Sequence, residues 1–121
     1  MPRSIQILAL VLAVAFSATA QTTSAQLSGT ILDPSSSVVV GAKVTLQNQS
    51  TSETRATTSN EAGSFVFPAL VPGTYRITVE APGFKVIEQR GIVLTANDRR
   101  SLGSIQLQLG NVTESVTVEG Q

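Results

Sequence analysis

Across residues 26–109, apolar side chains return at every second position, and turn signals break the pattern roughly every 8–12 residues. A period of two places one face of an extended strand in a core and the other in water. A helix would need a period near 3.6, and no stretch after the first 20 residues has it. Many short strands with regular turns predict an all-β sandwich or barrel. Composition agrees. Ser, Thr and Val each occur 14 times in the 121 residues. Charged residues make up 13 % of the chain, about half the usual share of ~25 %. Faces of Thr and Ser with Val opposite suit strands better than helices.

Seven strands are predicted, at residues 26–33, 42–48, 54–58, 64–67, 75–81, 85–94 and 100–109. The third is polar on both faces, which marks it as an edge. Phe65 and Phe67 share a face, and Tyr75, Ile77, Val79 and Ala81 share another. In the last strand Ile105, Leu107 and Leu109 are expected to point inward. The sixth is expected to be interrupted at Gly91. Asp33-Pro34 and the three serines after it form a loop. Gly63 closes a turn at positive φ. Val71-Pro72-Gly73-Thr74 and Ala81-Pro82-Gly83-Phe84 both fit type II turns, with Pro second and Gly third. Phe65, Phe67, Tyr75 and Phe84 are assigned to the core. The Tyr75 hydroxyl is expected to bond to nearby backbone, as in a tyrosine corner.

Residues 1–20 have the three parts of a secretory signal peptide. Arg3 supplies the positive start, Ile5 to Phe16 an apolar run of 12 residues broken only by Gln6, and Ala18-Thr19-Ala20 a small-residue cleavage site. A spanning helix needs about 20 apolar residues, so cleavage after Ala20 is the expectation. Residues 21–25 are then a polar lead-in, and the mature chain does not span a membrane by itself. It is expected in an extracytoplasmic space, either on the periplasmic side of an outer membrane or secreted.

The chemistry left to the chain is narrow. Cys and His are both absent, which removes disulfides, thiolate and imidazole catalysis and almost every zinc site. Lys plus Arg equals Asp plus Glu at eight each, so no basic footprint for nucleic acid exists. No glycine cluster opens a helix to cradle phosphate. A serine nucleophile would need Lys43 or Lys85 as its base, and both occupy positions where a strand faces water. No catalytic residue, cofactor or metal is assigned, and the chain is expected not to be an enzyme. After Gly110 the pattern thins into a tail at residues 110–121, where Val112, Val116 and Val118 alternate with Thr113, Ser115 and Thr117.

The motifs resemble a known family. Ser28-Gly29-Thr30-Ile31-Leu32-Asp33-Pro34 and Gly41-Ala42-Lys43-Val44-Thr45-Leu46 are followed by Asn60-Glu61-Ala62-Gly63-Ser64-Phe65. Leu70-Val71-Pro72-Gly73-Thr74-Tyr75 and Glu80-Ala81-Pro82-Gly83-Phe84 then complete the series. Their order and spacing over residues 26–109 resemble the carboxypeptidase regulatory-like domain. The resemblance implies a seven-stranded Greek-key β-sandwich, transthyretin-like or carbohydrate-binding-like. Two positions depart from the pattern. Ser36 stands where a turn glycine is common, and Val40 where proline is common.

Leader, domain and tail together resemble the N-terminus of Oar-like TonB-dependent outer-membrane receptors. In that family the domain lies in the periplasm ahead of a plug and a 22-stranded barrel. The resemblance makes the tail a TonB-box-like strand, with Glu114, Val116, Thr117 and Val118 as partner-binding residues for a TonB-type energising protein. Such a strand binds by adding to an open sheet edge. Two other readings stay open, a linker or a last strand packing on its own domain. Twenty-two membrane strands of ~9–11 residues need about 200 residues, so the chain is expected to be either part of a truncated receptor or a free-standing secreted module. For the free-standing case the alternative ligand is a carbohydrate. A stalk unit is less favoured, because the sequence has no internal repeat.

Overall fold

The computed structural model describes residues 23–110 and 115–119. The expected signal peptide lies outside the described residues, as do Glu114 and the first two residues of the lead-in. Among the described residues eight strands form: β1 (Ala25–Leu32), β2 (Lys43–Asn48), β3 (Thr54–Thr58), β4 (Ser64–Leu70), β5 (Gly73–Glu80), β6 (Val86–Leu94), β7 (Arg99–Gln106) and β8 (Ser115–Glu119). They make two sheets, ordered β4-β1-β7 and β3-β2-β5-β6-β8. The fold is thus an all-β sandwich. Its polar third strand is a sheet edge, as predicted. The eighth strand comes from the tail and extends the larger sheet.

The core lies between the sheets, built by the alternation seen in the sequence. β1 alternates buried and half-buried positions along its whole length. Leu27 and Ile31 face Val44, Leu46, Ile77 and Val79 from the other sheet within one cluster of buried side chains. Each fully buried side chain of this size contributes ~1.5–3 kcal/mol. Phe65 and Phe67 are both buried and meet edge to face, with ring centroids 6.0 Å apart. Phe84 packs against the same cluster. The Tyr75 hydroxyl donates to the Val71 carbonyl oxygen, so all four aromatics take structural places.

Turn chemistry shows both agreement and correction. At residues 81–84 the Phe84 N–H donates to the Ala81 carbonyl at 3.1 Å, and Gly83 has φ of 82°. Those are the marks of a type II turn. Residues 71–74 do not repeat it. Gly73 is the first residue of β5, paired with Leu94, and is absent from the positive-φ positions. The left-handed residue falls earlier, at Ala69 with φ of 56°, where β4 bulges against β1. Pro68 is accommodated because β4 is an edge strand. Gly91 does not interrupt β6. With φ of 68° it sits in a bulge opposite β5, between the Tyr75–Ile92 and Ile77–Gln89 pairs.

The last core strand also needs a correction. β7 runs parallel to β1, and its register shifts at Gly103, which has φ of 67°. Leu107 is fully buried and Ile105 packs against the core, but Leu109 is 70 % exposed. β7 ends at Gln106, and the chain then crosses toward Phe84, with which Leu109 forms an isolated bridge. That crossing breaks the alternation and turns Leu109 outward. Ala25, assigned to the lead-in, is instead the buried first residue of β1.

Candidate functional site

The open edges of a sandwich are its ready-made interaction sites, because half of an edge strand's backbone groups lack a partner in the sheet. Here β3 is one edge of the larger sheet and β8 the other. It pairs in parallel with β6, in the register Val86–Ser115, Ile87–Val116, Glu88–Thr117, Gln89–Val118 and Arg90–Glu119. Three of the four tail residues assigned from sequence therefore lie on one strand. Val116 is half-buried and packs against the core cluster. Thr117 is exposed, and Val118 is 45 % exposed. Glu114 lies outside the described residues.

Beside this strand the outer face of the sheet carries a short charged ladder. Glu88 on β6 accepts from Arg90 Nε at 2.6 Å and from Arg76 Nη1 on β5 at 3.4 Å. Arg76 also donates to the Gln47 side-chain oxygen on β2. The Arg90 hydrogen bond is the main cause holding the Glu88 carboxyl below its usual range, and Arg76 adds to it. The ladder ties β2, β5 and β6 together.

On the opposite side of the sandwich, edges β3 and β4 face each other across a seam. Arg55 of β3 crosses it, donating to the Pro68 carbonyl at 2.6 Å, with its guanidinium 5.9 Å from the Phe67 ring centre. Next to it a cleft of about 110 Å³ has Leu46, Leu70 and Tyr75 among its walls and Glu53 and Arg55 beside them. Small-molecule sites usually measure ~300–1,000 Å³, so this cleft has room for a side chain rather than a sugar. The sequence carried no signal for it, since its walls come from four separate strands and the loops between them. A broader groove of about 310 Å³ is lined by Pro34 and residues 106–109, without an aromatic wall.

The residues considered for catalysis do not converge. Lys43 is exposed on β2, opposite Thr58 and Glu80. Lys85 lies before β6, where its N–H donates to the Gln108 carbonyl. Among the described residues no group of three or more Asp and Glu is placed to hold a metal. The two remaining shifted carboxyls belong to loops. Ser35 Oγ and the Ser37 N–H lower Asp33, by donating to its Oδ1 at 2.7 and 2.9 Å. Asp98 is lowered by the Thr95 N–H and hydroxyl at 2.7 and 2.8 Å.

Comparison with known proteins follows the fold. The sequence profile of the carboxypeptidase regulatory-like domain matches residues 26–108. No functionally curated protein shows significant sequence similarity to the chain. Among solved structures, the TIE protein of Bacillus anthracis superposes with a TM-score of 0.58 at 16 % identity, over 72 % of this chain and 17 % of that one. The shaft pilin SpaA of Lactobacillus rhamnosus GG gives 0.53 at 15 % identity, over 76 % and 48 %. SpaA's 48 % was measured on its E269A mutant, and the unmutated pilin is covered over 50 %. Hydroxyquinol 1,2-dioxygenase of Pseudomonas putida gives 0.54 at 13 % identity, over 77 % and 59 %. The chain spans less than two thirds of each of these proteins. At such identities the likeness is one of fold.

Proposed function

Because the chain belongs to the carboxypeptidase regulatory-like domain family, we propose that it serves as a non-enzymatic, exported interaction domain. Its place is the N-terminal, periplasmic part of a TonB-dependent outer-membrane receptor. Its partner is a TonB-type energising protein, met through the tail strand. The supporting observation is β8 itself, an extended strand at a sheet edge in which Val116 and Val118 alternate with Thr117. Strand addition draws affinity from backbone hydrogen bonds and specificity from alternate side chains, and β8 offers both. A small sandwich rigid enough to hold such a strand in place suits an accessory role.

Carbohydrate binding finds less support. Sugar platforms use exposed rings, whereas Phe65, Phe67 and Tyr75 are buried and Phe84 packs against the core. The deciding experiment is a pull-down of the chain by the C-terminal domain of a TonB-type protein, with and without residues 111–121. Capture that depends on those residues supports the proposal. Equal capture of both chains, or of neither, overturns it.

A further inference from the structure

We infer that β3 is a self-pairing edge: two copies of the chain join β3 to β3, antiparallel about a two-fold axis at Ala56. The inference is independent of the reading of the tail. It starts from the backbone groups that β3 leaves open. Among the described strands β3 pairs only with β2. The Asn48 N–H donates to the Glu53 carbonyl at one end of that ladder, and the Ser59 N–H donates to the Ala42 carbonyl at the other. Backbone groups alternate sides along an antiparallel strand, so Arg55 and Thr57 also turn toward β2. Thr54, Ala56 and Thr58 then turn their N–H and C=O groups outward. The same three residues have exposed side chains, while Arg55 and Thr57 are half-buried.

Both edges of the smaller sheet are guarded against such pairing, and β3 is not. Natural edges block a new strand with proline, with bulges or with charges on the exposed side. β4 carries Pro68 and bulges near Ala69. β7 carries Arg99 and Arg100, and its register shifts at Gly103. β3 runs along β2 through five consecutive positions without a shift, contains no proline, and presents only Thr, Ala and Thr outward. Its one charge, Arg55, is turned to the Pro68 carbonyl and the Phe67 ring of its own copy.

The occupant is a second copy because this edge is complementary to itself. Antiparallel strands exchange both hydrogen bonds at every second residue pair. Only a register centred on Ala56 brings all the outward residues together. Thr54 then meets Thr58 of the second copy, Ala56 meets Ala56, and every open N–H and C=O of the strand finds a partner. Thr against Thr is a favourable cross-strand pair, and the smallest side chain of the strand lies on the axis. No charged residue meets its like. Pairing uses up the β3 edge, so association closes at the dimer. The two larger sheets become one, with a β8 strand at each far end, so the dimer displays two tail strands at once. Five residues make a small contact beside the ~1,200–2,000 Å² of a standard interface. The dimer is therefore weak, with a dissociation constant between about 1 μM and 1 mM.

Sedimentation equilibrium of the chain tests this. Thr54→Lys with Thr58→Lys sets lysine against lysine across the outer pairs and is expected to weaken the dimer at least about tenfold. Thr54→Lys with Thr58→Glu sets opposite charges in the same places and is expected to restore it. No dimer up to about 1 mM, open-ended assemblies, or equal weakening by both double variants overturns the inference. So does a dimer that survives the paired lysines. A second readout fixes the edge. The chain has no cysteine, so Ala56→Cys adds a single thiol, placed on the axis. A hydrogen-bonded pair holds its Cα atoms ~5.5 Å apart, within the ~4.4–6.8 Å of a disulfide. Mild oxidation is expected to cross-link Ala56→Cys at least about tenfold faster than Ser104→Cys on β7 or Thr117→Cys on β8. Equal or faster cross-linking at β7 or β8 places the contact on another edge and overturns the inference.

Discussion

Gly29 is buried opposite Phe65 on β1, and a Cβ built there would lie 2.8 Å from two carbons of the Phe65 ring. The ring cannot retreat, because it is buried against Phe67. Gly29→Ala is therefore expected to destabilise the domain by about 1–3 kcal/mol, the usual cost of overfilling a packed core. Urea unfolding reads this as a lower midpoint with unchanged slope, and an unchanged midpoint would show that the ring moves freely. Ser36 offers the opposite case. It holds φ of 67° in the loop where Asp33 Oδ1 accepts from the Ser35 and Ser37 N–H groups. A left-handed backbone costs an L-residue ~1–2 kcal/mol, and the greater freedom of unfolded glycine takes back about 0.4–1 kcal/mol. Ser36→Gly should thus stabilise the domain by up to ~1 kcal/mol, measurable as a raised urea midpoint. A lower midpoint would mean that the Ser36 side chain contributes more than its backbone loses.

At the scale of elements, the two-residue period was enough to find the strands, because burial on one face is what both the pattern and the sandwich express. Strand β3 was located to the residue, its polar composition and short length being what an edge tolerates. Bulges were harder. Gly91 and Gly103 each insert a residue into a ladder, and a bulge changes which side chains face inward beyond it. Ile105 and Leu107 keep the alternation beyond Gly103, and Leu109 loses it because the chain leaves the ladder after Gln106 and crosses to Phe84. The Pro72-Gly73 pair was misread for a different reason. Its dipeptide chemistry fits a type II turn, but β5 begins at Gly73 and recruits it into the ladder with β6, while Ala69 takes the strained conformation. The tail shows the same limit. Alternation of Val116 and Val118 announced a strand, and only tertiary structure could say that it lies parallel on β6. The β3–β4 cleft was invisible, since it depends on how two edges from different sheets approach.

For the whole molecule, the absence of cysteine and the few charges leave stability to one apolar core and to hydrogen-bonded turns. Three carboxyls contribute to those turns and ladders: Asp33 and Asp98 in loops, and Glu88 in the outer-face ladder. Each is held below its ordinary value in the folded protein, chiefly by Ser35, by Thr95 and by Arg90 respectively. The unfolded chain then binds more protons than the native one at acid pH, so stability rises with pH across that range. The contribution is present in full above the unfolded carboxyl values, and it is lost as pH falls through the lower folded ones. No histidine exists to add a second transition near neutrality. The urea midpoint should therefore be flat from about pH 6 to 8 and decline below about pH 5. Asp33→Asn with Asp98→Asn should flatten the acid limb and leave the Glu88 share. A decline of unchanged depth in that double variant would locate the acid sensitivity elsewhere. A slope between pH 6 and 8 would contradict the assignment, because the three shifted groups are all carboxyls held below their ordinary values and the sequence has no histidine.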